Sequence, residues 1–201
     1  MSLAIVYTRA ALGIEAPLIT VEVHLSNGLP GLTMVGLPET TVKEACDRVR
    51  SALINSGYAF PAKKITINLA PADLPKEGGR YDLPIALALL VASEQLNTTR
   101  LNQYEFVGEL ALTGGLRGVP GAIPSAMEAI KAGRRIVVSS DNAAEVGLIG
   151  DSDCLVADHL QEVCAFLAGQ TSLSPPLAEA PARDERYEDL LDVIGQQQGK
   201  R

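Results

Sequence analysis

The stretch LPIALALLVA, Leu83 to Ala92, constrains this chain more than any other, because all ten of its residues are apolar. A helix that is hydrophobic on every side has no face to turn to water, so the rest of the fold must enclose it. At about half of the ~20 residues that a membrane-crossing helix needs, it predicts a core helix rather than a span, and a soluble chain. The residues just ahead of it, PKEGGRYD, form a glycine-containing turn of the kind that presents a nucleophile at a helix start. Here the side chains on offer are only those of Lys76, Glu77 and Arg80.

Enclosing such a helix takes a large core, and 201 residues with 47% hydrophobic content supply one. The net charge of −7 argues against coating nucleic acid through bulk charge, so any DNA contact must be local. Cys46, Cys154 and Cys164 are an odd number without C-x-x-C spacing, which favours neither a disulfide framework nor a zinc site and fits a reducing cytoplasm. The N-terminus has no basic residue before its first apolar run, and Arg9 and Glu15 interrupt that run, so it does not read as a signal peptide.

Residues 3–37 read as three strands with Asn-Gly and Pro-Gly turn chemistry in SNGLPG, which predicts an antiparallel meander. A helix follows over TTVKEACDRVRSALINSG, with Thr41 and Glu44 spaced as a capping box and Gly57 as its stop. Val42, Ala45, Cys46, Val49, Ala52 and Leu53 share one face of it, which makes Cys46 a core residue. KKITINLAPADL alternates as a strand, and Asp82 is placed to cap the buried helix. Further on, EFVGELALTGGLRGV reads as a hairpin around Thr113-Gly114-Gly115, followed by the helix GAIPSAMEAIKAG, the strand RRIVVSS, and then helix, strand and helix up to Gln170. Strands first and then mixed elements indicate an α/β or α+β sandwich. From Thr171 the prolines and charges of TSLSPPLAEAPARDERYED read as a linker over 171–186, so ordered structure is expected to stop near Gln170 before the chain turns apolar again at 187–201.

The segments EVHLSNGLPGLTMVGLPETTVKEACDRVRSAL, ITINLAPADLPKEGGRYDLPIALALL and VGELALTGGLRGVPGAIPSA closely resemble the N-terminal domain of the magnesium-chelatase-like AAA+ ATPases, the ComM and YifB group. The resemblance covers about residues 3–170, and DLLDVIGQQQGKR resembles the start of an AAA+ module, which implies a fragment that ends before the ATPase. The family further implies a ribosomal S5 domain 2-like fold, shared with the Lon protease domain and with the C-terminal domain of RadA, and a left-handed βαβ crossover. It implies a cytoplasmic, hexameric parent that uses ATP and Mg2+ to drive DNA branch migration in recombination and natural transformation.

The residues limit what this chain can contribute. A P-loop needs Lys followed by Ser or Thr, and none of the six lysines is so followed, so ATP and Mg2+ are expected only in the missing module. In Lon the loop before the core helix presents a catalytic serine, and a lysine on the helix after the hairpin is its base; the resemblance puts Arg80 and Ser125 at those positions. Neither fits the chemistry, since an arginine stays protonated and a serine without a base cannot replace a lysine that must shed its proton. A non-catalytic domain is therefore expected, with no cofactor or metal in the chain. The alternatives are a residual Ser/Lys peptidase and a subunit of a chelatase-type complex.

Arg80, Lys76, Lys63 and Lys64 are the candidates for contacts with DNA or a partner. Arg80 reads either as a phosphate or partner contact or as a loop arginine paired with Glu77 or Asp82. Lys43, Asp47 and Arg50 lie on one helix flank and read as a solvated ion-pair face, with Arg48 on the far side of the helix. Lys63 and Lys64 mark the solvated start of a strand, His24 and His159 lack metal-ligand spacing, and Glu109 has no complementary base.

Overall fold

The computed structural model describes residues 2–36, 40–150 and 153–176, with the side chains of 40–43 outside that description. A seven-stranded sheet carries the molecule, in the order β3 (Gly31–Val35), β4 (Lys64–Ala70), β2 (Leu18–Ser26), β1 (Ser2–Arg9), β5 (Tyr104–Phe106), β8 (Arg135–Ser139) and β9 (Cys154–Ala157). The strands β6 (Glu109–Leu110) and β7 (Leu116–Arg117) form a separate hairpin. The helices are α1 (Thr40–Asn55), α2 (Asp82–Ala92), α3 (Ala122–Lys131), α4 (Ala143–Gly147) and α5 (Leu160–Leu167). β2 runs antiparallel to β1 and β4, and every other neighbouring pair in the large sheet is parallel, which makes this a mixed α/β fold with a mostly parallel sheet.

The expected meander is therefore wrong in its third strand. β1 and β2 pair antiparallel, but β4 inserts beside β2 and takes β3 as a parallel neighbour, with α1 as the crossover. The physical reason is burial: Ile65, Ile67 and Leu69 make β4 an alternating, half-buried strand, whereas β3 is exposed at every position but Met34 and suits an edge. Gly36 makes the close pairing possible, since its φ is 98° and a Cβ there would run into the main chain of Leu69.

The helix at the centre behaves as its composition requires. Every residue of α2 is buried except Val91, and α2 lies between β1 and β2 on one side and α1 on the other. One core joins α1, α2 and α5 to one face of the sheet, through residues such as Val21, Ile67 and Phe106. A second core packs α3 and α4 on the opposite face of β8 and β9, through Ala126, Ile136, Val138 and Val146. The same face of β1 is uncovered at its start, with Leu3 and Ile5 exposed.

Local signals fare well at helix ends. α1 stops at Gly57 as expected, with φ 83° and the paired bonds Tyr58 N to Leu53 O (2.9 Å) and Gly57 N to Ile54 O (3.0 Å) that define a Schellman stop. The hairpin turn is where it was read, closed by Gly114 N donating to Ala111 O at 2.9 Å. Tyr104–Phe106, however, belongs to the main sheet rather than to the hairpin. The Thr41–Glu44 capping box and Lys43 depend on side chains outside the description. Beyond Gln170 the chain continues onto the sheet, with Val156 N donating to Ser174 O at 3.0 Å and Leu173 packed on the core. Residues 177–186 of the expected linker and 187–201 lie outside the described residues. Among the described residues, no helix is long and apolar enough to cross a membrane.

Candidate functional site

The loop ahead of α2 is held from within. Lys76 folds back over its own loop, where its Nζ donates to Pro71 O at 2.5 Å and Leu74 O at 2.9 Å, and burial lowers its pKa against the pull of Asp73. Three residues on, the short turn Gly79–Tyr81 packs against the hairpin so closely that a Cβ on Gly79 would collide with the carboxylate of Glu109. Glu109 itself faces Arg117 at 3.6 Å.

Arg80 then points into the protein. Its guanidinium donates to Arg9 O at 3.2 Å and to Pro120 O, it is 4% exposed, and burial lowers its pKa. Ser125, fully buried on α3, donates its hydroxyl to Gly121 O at 2.8 Å. Arg80 and Ser125 thus meet at the Pro120–Gly121 turn, each engaged by a main-chain carbonyl of that turn. Neither expected partner of Arg80, Glu77 or Asp82, is the one it uses. As contacts for DNA or a partner, Arg80 and Lys76 are misplaced, because the carbonyls that satisfy these cations also hold them away from solvent. Lys63 and Lys64 are exposed at the start of β4, as read from sequence.

Two buried ion networks brace this region, and neither was identified from the sequence. Asp82 does not cap α2, whose cap position falls to Tyr81. Its carboxylate instead takes Arg48 Nε at 2.8 Å, Arg48 Nη2 at 3.1 Å and the amide of Leu110 at 3.2 Å, and so ties α1, α2 and β6 together. Burial pushes the Asp82 carboxyl up to about 6, although Arg48 and the Leu110 amide pull it the other way. On the other side Arg9 holds the fully buried Glu105 through contacts of 2.5 and 2.7 Å, and also donates to Ala16 O and Glu128 O. Arg134 adds a third contact to Glu105 at 3.2 Å and lies 4.2 Å from the Tyr7 ring centroid. The available signal was a single charge within an apolar strand, at Arg9 and again at Glu105 in YEF.

The remaining candidates resolve as structural. His159 Nδ1 accepts from Gln161 N at 3.1 Å while Nε2 lies 3.2 Å from Thr113 O, which joins the start of α5 to the hairpin turn. His24 is half-buried in β2. Cys46 is half-buried against the core, with its thiol pushed up to about 11 first by burial. The expected ion-pair flank of α1 is not seen at Arg50, which lies over the Phe60 ring at 4.9 Å.

Glu109 fills the space at Gly79, and Ser56 and His159 fill the space at Gly114. No group of three His, Cys, Asp or Glu suited to a metal occurs among the described residues. A surface concavity of about 510 Å³ beside α5 and β9 is lined by Asp158, Gln161, Glu162 and Ser174 and lies apart from Arg80 and Ser125.

Fold and loop together define a mixed α/β domain whose helix-start loop is closed by its own arginine. The family model of subunit ChlI of Mg-chelatase matches residues 21–142, and the chain belongs to that family. It is 75% identical over 201 residues to protein YifB of Salmonella typhimurium and 72% to YifB of Escherichia coli K12. It is 56% identical over 208 residues to competence protein ComM of Haemophilus influenzae. Each match takes in all of this chain and 40% of the relative, so the chain spans well under half the length of these relatives.

Proposed function

We propose that this chain is the non-catalytic, Lon-like N-terminal domain of a AAA+ ATPase that acts on DNA, and that its part is to make contacts with partners or neighbouring subunits. The observation that carries the proposal is the filled loop. Where a Ser-Lys mechanism needs a free nucleophile beside a deprotonated amine, Arg80 and Ser125 are both buried and engaged by carbonyls. The similarity to a protein named for competence supports a parent with a part in that process; we assign that parent DNA branch migration as its activity and a hexameric ring as its form. ATP and Mg2+ then belong to the module that follows, since these residues provide no P-loop.

Within that parent, direct DNA contact by this domain is the lesser role, because two of its four basic candidates are turned inward. The test uses the full-length protein with and without residues 1–176, assayed for ATP hydrolysis and for migration of a branched DNA. The proposal expects the shortened protein to keep ATP turnover per subunit while assembly or coupling to DNA suffers. Loss of basal ATP turnover from a correctly assembled shortened protein would place catalytic groups in this domain and refute it.

A further inference from the structure

Nearly every described cation already has an oxygen to satisfy it. Arg9, Arg48, Arg117, Lys131, Arg134 and Arg135 sit against carboxylates. Lys76, Arg80 and Arg100 donate to main-chain carbonyls. Among the described side chains this leaves Arg50, Lys63 and Lys64, and the first two meet at one place. Arg50 and Lys63 line a groove of about 230 Å³ with Pro30, Leu32, Phe60 and Pro61, while Lys64, paired in register with Gly31, turns its side chain to the other face of the sheet, beside Gly28. In a chain of net charge −7, two cations that no described carboxylate meets, lining an apolar groove, form a surface that calls for a negatively charged partner.

The groove takes in the start of the sheet's edge strand, β3. β3 pairs with β4 on one side and ends the sheet on the other, and the apolar Leu29, Leu32 and Val35 around it are exposed, Leu29 at 90%. Such an edge presents a row of main-chain donors and acceptors that an extended polypeptide can match. We propose that the β3 edge and this groove dock an acidic, extended polypeptide segment, which joins the sheet beside β3, sets an apolar side chain against Phe60 and Pro61, and lays carboxylates by Arg50 and Lys63. A nucleic acid fits less well. It cannot complete a strand ladder, and the one aromatic ring of the groove already has Arg50 over it, whereas a single-strand platform needs open ring faces.

The inference rests on the contact role proposed above, but its test is separate from that of catalysis. The whole chain is titrated by fluorescence anisotropy with a labelled peptide of alternating valine and glutamate, the same peptide with lysine for glutamate, and an oligothymidylate. The glutamate peptide should bind, more weakly as salt rises. The double variant Arg50→Gln/Lys63→Gln should lose about tenfold in affinity, and Lys131→Gln, on the far helix α3, should lose none. Hydrogen exchange should show new protection at alternate amides of Gly31–Val35 when the peptide is bound, a signature that charge attraction alone would not produce. Tighter binding of the oligothymidylate, equal binding by the double variant, or bound peptide without protection in β3 would overturn the proposal.

Discussion

At the scale of single residues, Arg80 shows how a charged side chain can be structural. Its guanidinium satisfies two carbonyls, of Arg9 and Pro120, in a place that water does not reach. Truncation leaves both without donors, so Arg80→Ala should lower stability by about 2 kcal/mol, read as a shift of the urea midpoint. Lys63→Ala, on the exposed start of β4, should stay within about 0.5 kcal/mol of the parent. The same pair of variants separates the roles in DNA contact. If the chain binds DNA at all, Arg80→Ala should keep the parent's salt dependence, while Lys63→Ala should reduce the slope by about one unit. A lower slope in Arg80→Ala would mean that the side chain leaves its carbonyls to meet phosphate. Sequence could show that Arg80 was the wrong chemical type for a nucleophile. It could not show which way the side chain turns, because its acceptors are carbonyls far along the chain, and main-chain oxygens leave no mark on a sequence pattern.

At the scale of elements, the Arg48–Asp82 pair fastens α1 to α2 and the hairpin, and it makes that junction sensitive to pH. The folded carboxyl of Asp82 is raised from 3.8 to about 6, so its contribution to stability is complete below about pH 4 and is lost as the pH rises through 6. The comparison that isolates it is the urea midpoint of the parent against Asp82→Asn between pH 4 and 6.5. The parent's stability relative to the variant should fall over that window by up to about 3 kcal/mol, and a rise would show that Arg48 outweighs burial. At the sheet edge, Gly36→Ala should cost more than about 2 kcal/mol by thermal unfolding, because the new Cβ meets the Leu69 main chain at a positive φ. Helices and their stops were legible because their signals are local, as the Gly57 stop and the all-apolar α2 show. The partner of β3 was not legible. Alternation and turn residues say that a strand forms, and only the competition with β4 for a place beside β2 decides where it goes.

At the scale of the whole molecule, the fold class and the family were readable because they are recorded in long segments and in the one helix that demands a surrounding core. The closed state of the loop ahead of α2 was readable in part. The residue types at Arg80 and Ser125 led to the expectation of no Ser-Lys chemistry, while their meeting at the Pro120–Gly121 turn needed the fold. The account stands or falls on this domain having no peptidase chemistry of its own, and the direct measurement is turnover of unfolded casein by the purified chain. The account predicts release no faster than a matched blank, in the parent and in Ser125→Ala alike. Turnover that copurifies with the folded chain and disappears in Ser125→Ala would contradict it.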